Sequence, residues 1–325
     1  MTKMCFRVTV AWLGAALAVM AGAAQADHYP EKPVTIIASL TAGSGPDVVA
    51  RIVAERLAQT WGRQVLITNQ AGAGGLVATR MAAAAAPDGY TLYMAASSAF
   101  TVLPEIQAKL PFDLDRDFMQ IGFVSEQPMV VAATSSLAVE SLTGLIGLAR
   151  RRPGDILYSA NTRGSLPHLT GELLRRRAGI DMTFVPYPGT PQALQDAMAG
   201  RVPVMVNGLS ALSSAISSGS IKALAVASAR RLPNFPDLPT VAETLPDFEA
   251  NGWFVMLAPA GTPAPVADRV RNDLRTVLEQ ADVRARLQTL GVYTRSMSES
   301  ELAAFIRKEQ DLWRPVVRQV GLTGQ

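Results

Sequence analysis

Apolar and polar positions change period several times along the chain, and each change marks an element. The run over 34–38 is short and β-branched, too brief for a helix and composed like a buried strand. Behind it, Val49, Ile52, Val53 and Leu57 recur at helical spacing and give one apolar face. Gly43 and Gly45 permit a tight turn between the two, and Pro46 suits the first helical position. A second strand is predicted over 64–68. It leads through Gly72-Ala73-Gly74-Gly75 into an alanine-rich helix over 76–86. Pro87-Asp88-Gly89 is a turn, and 90–95 is a third strand ending in Ala96-Ser97-Ser98. This β-α-β-α-β order implies a parallel sheet with right-handed crossovers. Its three strand ends share one edge, the edge where open α/β sheets bind ligands.

A polar, proline-opened connector over 111–117 precedes a long extended segment to Ala133, and a second α/β series follows. The pattern predicts helices over 142–152, 168–178 and 191–199 and strands over 156–160, 183–186 and 204–206, with a polar loop over 161–165. The segment 223–228 reads as an extended return toward the first lobe. A strand over 253–258 and helices over 265–279, 283–290 and 299–320 close the chain. Two α/β lobes joined by extended crossings imply a hinged cleft faced by loops of both. The expected division is 1–26 as a leader, 27–126 as the first part of lobe one, 127–249 as lobe two, and 250–325 as the rest of lobe one.

The first residues change the picture. Lys3 and Arg7 precede an apolar run over 8–24, and Ala24-Gln25-Ala26 supplies a small-x-small cleavage pattern. About 17 apolar residues is the short limit for a membrane span, so a cleaved export signal is the expected reading. Cys5, the single cysteine, lies inside that leader, so the mature chain carries no disulfide, Cys-ligated metal or Cys nucleophile. A cysteine-free exported protein fits a bacterial periplasm. The formal charge of +3 counts Lys3 and Arg7; without them 28 basic residues face 27 acidic ones. Arg150-Arg151-Arg152 and Arg175-Arg176-Arg177 end predicted helices, where cations suit the dipole, so nucleic acid is not an expected partner.

Catalytic signatures are missing. The chain has no G-x-S-x-G elbow, no H-E-x-x-H and no Walker A loop. Only His28 and His168 are available, which leaves no histidine metal site and only a His168-based enzyme as an alternative. Val77 and Val48 stand where the third small residue of a dinucleotide fingerprint belongs, so neither glycine cluster reads as a nucleotide loop and no cofactor is expected. What remains is capture. A strand, a bare glycine loop and a helix N-terminus form an anion site whose N–H groups need no cationic partner. Asp47, in the first turn of that helix, would repel a bare anion and is expected to orient loop amides or water instead.

Several segments in order resemble the periplasmic solute receptors of tripartite tricarboxylate transporters, the Bug family. They are Tyr29-Pro30 with Lys32-Pro33, Ala42-Gly43-x-Gly45-x-Asp47, Gly72-Ala73-Gly74-Gly75 and Ala86-Pro87-Asp88-Gly89-Tyr90-Thr91-Leu92. Further on come His168-Leu169-x-Gly171-Glu172-Leu173, Val185-Pro186-Tyr187, Leu238-Pro239-Thr240-Val241-Ala242-Glu243 and Ala258-Pro259-Ala260-Gly261-Thr262-Pro263. The resemblance implies an α/β, type II periplasmic binding protein of the Venus-flytrap kind, with two lobes, mostly parallel sheets flanked by helices, and no enzymatic activity. It implies a small carboxylate held by Leu40, Thr41, Ala42, Gly43, Ser44, Gly45 and Asp47 of the first loop and by Gly72, Ala73, Ser97 and Ser98. The second lobe would close with Arg163, Gly164, Ser165 and His168, with Tyr187, Pro188 and Gly189, and with Asn207.

Departures from the family pattern bear on the solute. Thr41 replaces a common proline, Ser44 and Pro46 replace the usual Gly and Thr, and Leu76 stands where Asn is common. Asn207 falls where many members carry an Asp that could pair with a ligand ammonium, while Arg163 could add a cation. A carboxylate without an amino group, with one or two acid groups, is therefore the expected ligand. The expected partners are integral-membrane transporter subunits or, as the alternative, a membrane sensor, with the receptor itself a monomer.

Overall fold

The computed structural model describes residues 28–321 apart from residues 72 and 108; the expected leader and Gly72 lie outside them. In the first lobe the chain runs β1 (Val34–Ala38), α1 (Gly45–Trp61), β2 (Val65–Asn69), α2 (Leu76–Ala83) and β3 (Thr91–Ala96). Two short helices, α3 (Ser97–Thr101) and α4 (Leu103–Ile106), follow before the long strand β4 (Phe118–Ala133). The second lobe adds α5 (Leu142–Arg151), β5 (Leu157–Ala160), α6 (Leu166–Ala178), β6 (Thr183–Pro186), α7 (Thr190–Met198), β7 (Val204–Gly208), α8 (Leu209–Ser217) and β8 (Lys222–Val226). Then come β9 (Asn251–Pro259), α9 (Ala264–Glu279), α10 (Ala281–Thr289) and α11 (Glu299–Gln319).

β4 joins the two halves. From Phe118 to Pro128 it pairs antiparallel with β9, and from Met129 to Ala133 with β7 and β8. β1 pairs parallel with β2 and β3, and β5 pairs parallel with β6 and β7, as the β-α-β order requires. Each sheet is thus mixed rather than mostly parallel, because the segments that cross between lobes enter it antiparallel. β8 does not lead back to the first lobe as its sequence position suggested. It lies beside the second half of β4, and the chain recrosses only at Ala250, whose N–H donates to Ala227 while Met129 N–H donates to Ala250.

Strand alternation sets the cores on both faces of each sheet. In β1, Ile36 packs with Val49, Val53 and Leu57 of α1, while Ile37 faces Tyr93, Ala78 and Ala82 on the other side. In the second half of β4, Val131 and Ala133 join α5 and α6, and Val130 and Ala132 join α7 and α8. α11 belongs to both lobes. Leu302 and Ile306 bury in the first-lobe core, and Trp313 and Val317 in the second-lobe core.

Candidate functional site

The C-terminal ends of six strands meet at one cavity of about 120 Å³. Ser39, Thr41 and Ser44 come from the loop after β1, Ala71, Gly74 and Gly75 from the loop after β2, and Ala96, Ser97 and Ser98 from the end of β3. Opposite them stand Asn161, Thr162 and Ser165 after β5, Pro188 after β6, and Asn207 and Gly208 at the end of β7. Gln127 and Met129 of the crossing strand close the back. The volume is below the roughly 300 Å³ at which pockets begin to take drug-sized ligands, so the cavity suits a small solute.

Helices begin where these strands end, so their N-termini converge on the cavity. Ser44, Gly75, Ser165 and Gly208 are the N-caps of α1, α2, α6 and α8, all four line the cavity, and none is satisfied by a side-chain cap. First-turn N–H groups and the positive ends of four dipoles therefore face the same space. Ser39, Ser44 and Ser165 each bury a hydroxyl oxygen with no hydrogen-bond partner among the described residues. No charged side chain lines the cavity among the described residues. Leu40, Leu166, Pro167 and Phe254 supply apolar wall between the polar ends. The arrangement can neutralise an anion at hydrogen-bond range and shelter a short hydrocarbon body.

Asp47 shapes the first loop from behind. It is buried and faces away from the cavity. It accepts from Gly43 N–H at 2.9 Å, Arg51 Nε at 2.9 Å and Asn69 Nδ2 at 2.9 Å. Burial pushes its carboxyl up, but these three donors outweigh that and hold it below the usual carboxylate range. Gly43 sits at φ +76°, a left-handed conformation that turns its N–H toward Asp47 and that a side chain would strain. Asp47 and Gly43 therefore support the loop, while Leu40, Thr41 and Ser44 reach the cavity wall.

In the second lobe the structure separates residues that sit together in sequence. Ser165, Pro188 and Asn207 line the cavity; Arg163, Gly164, His168, Tyr187 and Gly189 do not. Arg163 is exposed and lies over the Phe184 ring at 5.6 Å, so it adds no cation to the cleft. His168 is buried, stacks on Phe184 with ring centres 4.2 Å apart, and accepts Gly164 N–H on Nδ1 at 3.1 Å. Burial pushes its pKa down to about 4, so it stays neutral and fixes the 161–165 loop. Tyr187 donates to Asp196 Oδ2 at 2.7 Å, away from the cavity. The loop after β2 reaches the cavity through Ala71, Gly74 and Gly75.

Asn207 is held on every side. Its Nδ2 donates to Asn161 Oδ1 at 3.2 Å and Thr190 Oγ1 at 3.1 Å, and its Oδ1 accepts from Gly208 N–H at 2.9 Å. Gln127, which sequence reasoning missed, is buried with its amide oxygen accepting from the Ser210 hydroxyl. Its neighbours Ser125 and Glu126 are polar as well, so nothing local set it apart. Asn161, Thr162, Leu166, Pro167, Gly252 and Phe254 line the cavity as well. The lobes touch across the mouth, where Thr41 Oγ1 donates to Pro188 O at 3.1 Å. A Cβ on Gly189 would lie 2.7 Å from Thr41 Cγ2, so glycine permits this closeness.

Residues 49–322 match the family described as tripartite tricarboxylate transporter family receptor. Protein BugT of Bordetella pertussis is 32% identical over 94% of this chain and 94% of its own. The structure of R. palustris Rpa4515 with adipate superposes with a TM-score of 0.86 at 30% identity, covering 90% of this chain and 98% of that one. MatC from Rhodopseudomonas palustris with bound malate gives 0.81 at 30% identity, covering 89% and 100%.

Proposed function

The chain belongs to the tripartite tricarboxylate transporter receptor family, a family of periplasmic binding receptors rather than enzymes, and from that premise we propose that its cleft captures a small organic acid without an ammonium group. The observation that carries the reading is a cavity lined by four helix N-caps and three unpartnered hydroxyls, with no charged side chain among the described residues. Donors and dipole ends attract a carboxylate. An ammonium group would find no acid to pair with and would lose its hydration uncompensated. The acids held by two structural relatives, adipate and malate, have this chemistry.

In this reading the leader directs export to the periplasm, and 127–249 closes against 27–126 and 250–325 about the crossings at Gln127–Met129 and Ala250. The loaded monomer then delivers its solute to integral-membrane transporter subunits. The site residues are Ser39, Thr41, Ser44, Ser97 and Ser98 on one lobe and Asn161, Ser165 and Asn207 on the other, with Gln127 between them.

A thermal-shift screen of mono- and dicarboxylic acids against the amino acids tests it. A bound acid should raise the melting temperature with the logarithm of its concentration. Tight binding of aspartate or glutamate, with plain organic acids silent, would overturn the proposal.

A further inference from the structure

Side chains of the crossing strands alternate between two spaces. Gln127 and Met129 face the front cavity, while Glu126 and Pro128 face a groove of about 790 Å³ behind. In β9, Gly252 and Phe254 face the front and Asn251 the rear. Trp253, between them, donates its indole N–H at 2.9 Å to Glu309 of α11, which lines the rear. The two spaces therefore lie on opposite faces of the hinge.

Both lobes wall the rear groove, Leu173 and Arg177 of α6 on one side and Phe305 and Lys308 of α11 on the other. A rigid rotation that widens the front must narrow the rear. Here the front is shut by the Thr41 and Pro188 contact and the rear stands wide. The surface on offer is amphipathic. Leu312 is 46% exposed within the groove beside buried Trp313, and Arg230, Lys308 and Asp247 make no ion pair among the described residues. An apolar floor with free charges of both signs suits an amphipathic chain of mixed charge, as a short peptide segment is.

We propose that the rear groove is a second binding site, for a short peptide segment of mixed charge, and that its occupation holds the front cleft closed. The occupant would raise solute affinity without touching the solute, because it removes the open conformation from the equilibrium. Apparent affinity then climbs toward that of the closed form, by at most the reciprocal of the closed fraction. This coupling rests on the solute-capture reading, but its first readout does not.

Cys5 is the single cysteine, so a Cys5→Ser, Leu312→Cys chain has one thiol. Exchange with glutathione disulfide releases glutathione and leaves a tethered tripeptide bearing charges of both signs in the groove. The solute-free adduct should show a smaller radius of gyration in X-ray scattering than the reduced protein. It should also bind adipate about threefold tighter or more, with slower dissociation. Reduction should reverse both effects. The same adduct at Met198→Cys, an exposed position on α7, should change neither, and Lys308→Cys serves if the first variant folds poorly. Unchanged radius and affinity at Leu312 and Lys308 would overturn the proposal, as would weaker binding. A contracted adduct in a protein that binds no acid would sink the solute reading and leave the groove standing.

Discussion

Replacing His168 with asparagine should remove a pH-dependent part of the stability while keeping the contact that holds the 161–165 loop. Asparagine places its amide oxygen near where Nδ1 accepts from Gly164 and does not titrate. The wild-type imidazole is pushed from 6.5 to about 4. Burial is the largest cause, Arg163 and Arg175 add to it, and Glu172, with Oε1 4.0 Å from Nε2, opposes it. Because the folded form resists protonation, the unfolded chain binds more protons as pH falls below 6.5, and stability declines through the window from 6.5 to 4. From those two values the loss is about 0.2 kcal/mol at pH 7, about 2 at pH 5 and about 3 at pH 4. Urea unfolding followed by circular dichroism at pH 7, 6 and 5 measures it. Burial raises Glu126 and Glu309, so both also titrate on the acid side, but they are common to both proteins and cancel in the difference. Lost stacking on Phe184 gives His168→Asn a constant deficit, which should shrink by about 2 kcal/mol between pH 7 and 5. A deficit that stays flat would refute the claim that His168 is a buried neutral brace.

Three other outcomes follow from the same geometry. Asp47→Ala frees Gly43 N–H and leaves Arg51 and Asn69 without their acceptor. Losing this charge-assisted cluster should cost about 1.5–3 kcal/mol in denaturant titration and weaken solute binding about tenfold in calorimetry. Thr41→Val keeps the shape but deletes the exposed bond to Pro188 O, so stopped-flow dissociation of the solute should quicken about two- to tenfold with association unchanged. Arg163→Ala should leave calorimetric affinity within about twofold, since the guanidinium rests on Phe184 outside the cavity; a larger loss would place it back in the site.

The strands that hold the loops were legible because their chemistry is local. The β-branched run from Val34 forms a strand that ends at Ala38, and Pro46 falls in the first turn of α1. α8 was not legible. Leu209, Leu212 and Ile216 have helical spacing, but Ser210, Ser213 and Ser214 between them are weak helix formers, and packing against Val130 and Met205 decides the matter. The site divided in the same way. Loop positions could be named from strand ends and glycines, whereas side-chain direction could not. Arg163 and Tyr187 flank cavity loops in sequence yet turn to Phe184 and Asp196, partners fixed only by tertiary packing. Gln127 shows the converse. It reaches the cavity because a crossing strand alternates its faces there, which no local pattern announces.

In the proposed site a carboxylate is held by helix N-termini and hydroxyls, without a cationic side chain. A crystal structure grown with adipate tests it most directly. One carboxylate should lie within hydrogen-bond distance of the Ser44 hydroxyl and the first-turn N–H groups of α1, with the methylenes against Leu166 and Phe254. An ordered adipate paired instead with Arg163, or with the arginines of the rear groove, would contradict it.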